Sequence, residues 1–266
     1  MKPNRIKQVM REGGLALVSH VGFADPAVVE IIASAGFDGA FIDMEHSVLD
    51  LETVGEMIRV ADLCGITAVV RVPDENPKTI LRVLDMGAQG VQVPQIAGAD
   101  GARKAVDAVR YPPAGNRGGA GNTRAAGYGS IPSAEHIRTS NEEILLIVMT
   151  EDQRGLAEIA DIAAVDGVDL IALGPTDISA ALGIMDPEDP KLKQTFQELA
   201  AKVKAVGKAG VSIPTNDAAC RFTPQDLLEM GVNYSGMVPA PPTIVLNALK
   251  ASAQSIREEA FKAGKV

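Results

Sequence analysis

Tryptophan is absent from the chain, and aromatic residues make up only 3% of its 266 positions. A core without large rings must be assembled from Ala, Val, Ile and Leu, which suits closely layered strands and helices. Cysteine is scarce as well: Cys64 and Cys220 stand far apart in helix-like contexts. That excludes a disulfide framework and fits a reducing cytosol. No run of Lys or Arg occurs, and the net charge is −9, which argues against a nucleic-acid partner. No apolar stretch approaches the ~18 residues of a bilayer span. Met1-Lys2-Pro3-Asn4-Arg5 leads into a charged amphipathic turn rather than a signal segment. These absences predict a cytoplasmic protein with no membrane partner. With 46% hydrophobic residues, the chain can bury one barrel-sized core or two smaller ones.

What is present is one repeated signal: a glycine, a short Val/Ile/Leu/Ala run, a polar group, then a helical pattern. Strands are expected at 14–19, 39–42, 66–70, 91–93, 144–149, 168–173, 210–214 and 232–237. Helices are expected at 5–11, 26–35 with Pro26 at its first position, 50–63, 76–85 and 100–110. Later ones are expected at 134–139, up to Ala163, at 177–182, 191–208 and 241–262. Residues 111–130, rich in Gly, Pro, Asn and Arg, read as a long loop, either a functional lid or a disordered insertion. Eight strands alternating with helices, each strand a continuous apolar run, argue for parallel β/α units covered on both faces. That is the count of a (β/α)8 TIM barrel, and no linker divides residues 1–266, so a single barrel domain is expected. A doubly wound sheet would show a Gly-rich dinucleotide loop after strand one, and Ser19-His20-Val21-Gly22-Phe23 is not one.

Barrel sites lie at the carboxyl ends of the strands. Those ends supply His20, Asp43, Glu45, His46, Arg71, Gln95, Glu151 and Asp177. In Phe41-Ile42-Asp43-Met44-Glu45-His46-Ser47, three ionisable groups leave an apolar strand, which demands pairing, hydrogen bonds or a metal if they are buried. Taken alone, Asp43 or Glu45 could cap the next helix and leave His46 in a solvated loop. Glu151 and Asp177 leave consecutive strands, which lie about 4.8 Å apart. Two carboxylates that close repel unless one is protonated or a cation lies between them; each could also cap its own helix. With Arg71 and His46 on the same rim, the pair favours a hard divalent ion, Mg²⁺ or Mn²⁺. No lysine stands at a strand end, which disfavours imine chemistry. The loops Thr215-Asn216-Asp217 and Val238-Pro239-Ala240-Pro241 lack the Gly-rich cradle of phosphate-binding barrels.

Phe41-Ile42-Asp43-Met44-Glu45-His46, Val70-Arg71-Val72, Val93-Pro94, Arg110-Tyr111-Pro112-Pro113-Ala114-Gly115-Asn116-Arg117-Gly118 and Gly174-Pro175-Thr176-Asp177-Ile178-Ser179 together resemble the metal-dependent class II pyruvate aldolases of the HpcH/HpaI family. The likeness runs in order along nearly the whole chain. It implies an aldolase that makes or cleaves a carbon–carbon bond between pyruvate, or a close 2-oxo acid such as hydroxypyruvate, and an aldehyde through a metal-bound enolate. It implies Glu151 and Asp177 as ligands of Mg²⁺, Mn²⁺ or Co²⁺, and Arg71 on the keto oxygen. By the same resemblance His46 belongs to the acid/base machinery, with Asp43 or Asp85 orienting it. Gly174, Pro175, Thr176 and Asp177 would surround the pyruvate carboxylate, with the amides near Thr176 and Asp177 holding it. A homohexamer is implied too, its C-terminal helix packed on a neighbouring subunit.

Two positions depart from the family pattern. Met149 stands where a glutamine is usual, two residues before the expected ligand Glu151, which removes a hydrogen-bonding group near the metal waters. His20 replaces a small or apolar residue at the end of strand one, either as a substrate contact or as an internally satisfied histidine. In the long loop, Arg117 and Arg124 are candidates for recognising an anionic acceptor; solvent exposure or a subunit contact are equal alternatives. Competing readings are a lyase or synthase for CoA thioesters or oxaloacetate-like acids, for which no basic nucleotide site is found, and a non-catalytic oligomeric barrel. The last has no use for the Glu151/Asp177 pair.

Overall fold

Asn4 shows how one end of the fold is sealed. Its extended backbone and side-chain oxygen, which accepts from the Lys7 N–H, start α1 (Arg5–Arg11). Its side-chain amide donates to the carbonyls of Gln89 and Glu143, both at 2.9 Å, and so ties the helix to two chain segments about to enter the sheet. In this computed structural model, which describes residues 2–237 and 239–262, the chain then alternates. The first half runs β1 (Ala16–Val21), α2 (Ala27–Ser34), β2 (Gly39–Asp43), α3 (Leu51–Cys64), β3 (Thr67–Arg71), α4 (Pro77–Asp85), β4 (Gly90–Val93) and α5 (Ala99–Val109). There follow α6 (Ser133–Glu143), β5 (Leu145–Met149), α7 (Gln153–Ala157), α8 (Ile159–Ala163), β6 (Leu170–Ala172) and α9 (Pro175–Leu182). The last elements are α10 (Pro190–Val206), β7 (Gly210–Ser212), α11 (Pro224–Met230), β8 (Tyr234–Met237) and α12 (Pro241–Lys262). The strands are parallel and close in chain order, β8 beside β1. This is the expected (β/α)8 barrel.

Alternation along each strand divides the core in two. Val18, Phe41, Val69, Ile147 and Leu170 fill the interior, with Ile6 of α1 plugging it from below. Ala40, Ile42, Val70, Val91, Leu146 and Ile171 point outward beneath the helices. Each fully buried aliphatic side chain stabilises by about 1.5–3 kcal/mol. Among the described residues, no helix is long and apolar enough to cross a membrane.

Several boundaries differ from expectation. Strand β1 runs to Val21, so His20 lies within it, paired with Phe41. Pro26 is the N-cap of α2 rather than its first residue. Helix α6 continues to Glu143, and the helix ending at Ala163 is broken in two at Glu158. Helix α11 has no counterpart in the sequence expectations, although Thr223 and Asp226 form a capping box and Pro224 takes the first turn. Val238, in the expected loop after β8, and residues 263–266 lie outside the described residues.

The long segment between α5 and α6 is not a lid. It lies between two helices, α5 and α6, that follow β4 and precede β5, and its arginines are held at the amino end of the barrel. Arg117 is buried there, its Nη2 donating to Asp85 Oδ1 at 2.8 Å and its guanidinium 4.5 Å from the Tyr111 ring centroid. Arg124 donates to Asp62 Oδ2 at 2.5 Å and to the Met86 carbonyl at 3.3 Å. Neither arginine is placed to meet an acceptor at the strand carboxyl ends.

Candidate active site

Pairing of β2 with β3 sets Asp43 opposite Arg71. Arg71 Nε and Nη2 donate to the two Asp43 oxygens at 2.8 and 2.6 Å, a bidentate fork that fixes the guanidinium plane. Nη1 remains, 3.3 Å from Glu45 Oε2. The turn that follows wraps on Asp43: the N–H groups of Glu45 and His46 donate to its Oδ1 at 3.0 and 3.4 Å, and Ser47 Oγ donates to its carbonyl. Burial alone would push the Asp43 carboxyl up. The Arg71 hydrogen bonds and charge, with the two N–H groups, outweigh burial and hold it below the usual carboxylate range.

Across the barrel mouth, Glu151 follows β5 and Asp177 lies in the first turn of α9. A Cβ added to Gly174 would stand 3.8 Å from Asp177 Oδ2, 3.8 Å from Glu151 Oε2 and 2.6 Å from Met149 Cε. The two carboxylates therefore converge on the space beside a residue that has no side chain to fill it. Burial pushes the Glu151 carboxyl up, and the charges of Asp177 and Glu45 push it further, against the Gln95 N–H and Arg71. Gln95 has a left-handed φ of 57°, so this turn carries strain where its amide serves a carboxylate.

A cavity of about 430 Å³ opens at this end of the barrel, its lining including Arg71, His46, Met149, Gly174, Pro175, Thr176 and Asp177. Thr176 and Asp177 open α9 behind Pro175, where first-turn N–H groups have no intrahelical acceptor. Met149 Sδ lies 3.3 Å from Gln92 Nε2 and 4.0 Å from Arg71 Nη1, a weak acceptor for both. The amide missing at position 149 thus has a counterpart at Gln92, which also lines the cavity.

The structure brings Asp43, His46, Arg71, Glu151, Gly174, Pro175, Thr176 and Asp177 to one end of the barrel. Asp85 is not among them. It ends α4, a helix that returns the chain to the amino end of β4, and its carboxylate is on Arg117. Within this chain Asp85 therefore does not orient His46. Asp43 does not hold the His46 ring either, because its oxygens are taken by Arg71 and backbone amides. That ring is 68% exposed, with Nε2 3.7 Å from Glu45 Oε2. Gln92, Ser212 and Tyr234 also line the cavity and were not singled out from the sequence. Gln92 carried a signal: it is a polar residue alternating with Val91 and Val93 on a strand buried on both faces.

Among the described residues, no group of three or more His, Cys, Asp or Glu side chains is disposed to hold a metal ion by itself. The donor set is the Glu151–Asp177 pair. Two hard, mutually repelling oxygens fit a divalent ion that keeps positions for further oxygen ligands.

The profile of the HpcH/HpaI aldolase/citrate lyase family matches residues 17–233. A hydroxypyruvate/pyruvate aldolase from Roseovarius nubinhibens is 37% identical over 220 residues, which cover 82% of this chain and 85% of that one. A 5-keto-4-deoxy-D-glucarate aldolase from Salmonella paratyphi C is 33% identical over 258 residues, 96% of each chain. The crystal structure of an HpcH/HpaI aldolase from Desulfitobacterium hafniense has a TM-score of 0.85 at 26% identity, covering 95% of this chain and 96% of that one. With a closed eight-stranded barrel and relatives matched along most of its length, this chain belongs to the HpcH/HpaI aldolase/citrate lyase family.

Proposed function

We propose that this chain is a divalent-metal-dependent aldolase, a carbon–carbon lyase that joins pyruvate, or a close 2-oxo acid such as hydroxypyruvate, to an aldehyde and catalyses the reverse cleavage. The observation that carries the reading is the Glu151–Asp177 pair facing the Arg71 guanidinium at one barrel mouth. Held by those carboxylates, Mg²⁺, Mn²⁺ or Co²⁺ supplies Lewis-acid polarisation of the 2-oxo acid's oxygens. The chain's own residues do the rest. The first-turn amides at Thr176 and Asp177 receive the substrate carboxylate, with Gly174 and Pro175 shaping its approach. Arg71, fixed by Asp43, presents Nη1 where negative charge grows on the keto oxygen as a methyl proton leaves. His46, with Glu45 beside it, moves that proton, and in cleavage takes the proton of the 4-hydroxyl.

Enolisation is the half-reaction common to every acceptor. Pyruvate alone is therefore expected to exchange its methyl protons for deuterium in D₂O. Exchange should stop with a chelator and return with Mg²⁺, Mn²⁺ or Co²⁺. Borohydride should trap no pyruvate on the protein, since among the described residues no lysine lines the cavity. Metal-replete protein without exchange anywhere between about pH 6 and 9, the range in which a histidine base titrates, would sink the reading.

The same reading takes residues 1–266 as one barrel domain in a cytoplasmic homo-oligomer, a hexamer if the family resemblance carries over, with α12 as its contact. In support, α12 buries none of its residues and exposes Ile244, Val245, Leu246, Leu249, Ile256 and Phe261, an apolar run that requires cover. Deleting residues 241–266 is expected to give smaller particles by sedimentation velocity. An unaltered sedimentation coefficient per unit mass of chain would count against the assembly.

A further inference from the structure

Among the described residues that line the cavity, Met149 is the one whose side chain carries sulfur. It stands where the family pattern has a glutamine, so the barrel mouth presents a thioether in place of an amide. Met149 is 7% exposed, whereas Met57 is sealed in the core at 0% and Met185 lies open at 76%. An oxidant about the size of water reaches the sulfur of Met149 through the cavity.

The thioether is held in one place. Its methyl fills the space a side chain at Gly174 would need, 2.6 Å from the position of a Cβ there. Its sulfur lies 3.3 Å from Gln92 Nε2 and 4.0 Å from Arg71 Nη1. Sulfur is a weak acceptor and does not compete with a carboxylate or keto oxygen for the guanidinium.

An oxygen on that sulfur changes the balance. An S–O bond of about 1.5 Å followed by a hydrogen bond of about 2.9 Å spans about 4 Å when the two meet at an open angle. That is the separation of Met149 Sδ from Arg71 Nη1. Nη1 is the nitrogen left over by the Asp43 fork, and Glu45 approaches it at 3.3 Å. Gln92 and Arg71 both point donors at the sulfur, so they stabilise the negative charge that grows on an oxygen transferred to it.

We propose that Met149 is a modification site for hydrogen peroxide, and that its sulfoxide switches the barrel mouth off by capturing Arg71 Nη1. A sulfur lone pair attacks one peroxide oxygen and the O–O bond breaks. The second oxygen leaves as hydroxide and takes the proton of the first, giving sulfoxide and water; sulfur is oxidised by two electrons and peroxide is reduced by the same two. The modification follows from the geometry alone, whereas its effect on turnover rests on the aldolase reading.

In the test, full-length protein loaded with Mg²⁺ is exposed to graded hydrogen peroxide. Catalase then removes the peroxide before pyruvate is added, because a free 2-oxo acid would consume it. Dithiothreitol follows, to reverse oxidation of the exposed Cys64 without reducing sulfoxides. Peptide mass spectrometry reads sulfoxide at each methionine, and pyruvate proton exchange in D₂O and Mn²⁺ affinity are measured on the same samples. Exchange is expected to fall in proportion to Met149 sulfoxide, each modified molecule losing about 10²-fold, while Mn²⁺ affinity holds within about twofold. Oxidation of the open Met185 should leave exchange untouched. Met149→Leu and Met149→Gln have no sulfur at this position, and each is expected to keep its own starting rate through the same exposure. A loss that persists in both variants overturns the switch, as does complete Met149 sulfoxide with unaltered exchange. Met149 no more oxidised than the sealed Met57 overturns the modification site itself. Unoxidised protein without exchange overturns the aldolase reading instead, and the mass spectra still decide the modification.

Discussion

Glu151→Gln is expected to lower pyruvate proton exchange and carbon–carbon bond formation by about 10²–10³-fold while raising, or leaving unchanged, the stability of the cation-free protein. The two effects have one cause. Burial and the charges of Asp177 and Glu45 raise the Glu151 pKa in the fold, so its ionised form opposes folding at neutral pH. An isosteric amide removes that repulsion and, with it, the reason for a cation to bind. Mn²⁺ affinity, measured by equilibrium dialysis in the absence of substrate, should fall along with exchange. A helix-capping role makes the opposite forecast: a lower melting temperature and unaltered Mn²⁺ binding.

Arg71→Lys should lower kcat about 10²-fold, with smaller changes in KM for the aldehyde. Arg71 holds both Asp43 oxygens with Nε and Nη2 and keeps Nη1 for a third group. A lysine ammonium can satisfy Asp43 or face the substrate, but it cannot reproduce the fork that does both. Arg71→Met should be worse in a second way. It leaves Asp43 and Glu45 partly buried without their cation, and breaking such a pair costs about 3–5 kcal/mol. A lysine variant with unchanged turnover would remove Arg71 from the mechanism.

Some of what the sequence reading missed was legible in it. Asp85 and the 111–130 segment both follow helices in a chain already read as β/α units, so both belong to the amino end of the barrel. Resemblance had offered Asp85, beside Asp43, as a partner of His46, and composition had offered a lid, beside an insertion, for the long segment; topology excluded Asp85 and the lid within one chain. Thr223-Pro224-Gln225-Asp226 likewise announced α11. Other features could not be read. Nothing local chose between a solvated and a buried His46, and nothing told that Met149 would lie against Gln92, fifty-seven positions away.

The sequence by itself determined the barrel, the order of its strands and the residues at their carboxyl ends. Those follow from short-range periodicity and from the rule that parallel β/α units keep all strand ends of one kind on one face. Only the tertiary structure decided which of those residues meet. The Arg71 fork depends on the register that sets Asp43 opposite it, and the place of the Met149 methyl beside the two carboxylates depends on Gly174 having no side chain. The inward turn of His20 depends on β1 ending at Val21, beyond its expected end. Register and strand ends are settled by pairing between segments distant in the chain, and a one-residue slip would send every one of these side chains to the other face of the sheet.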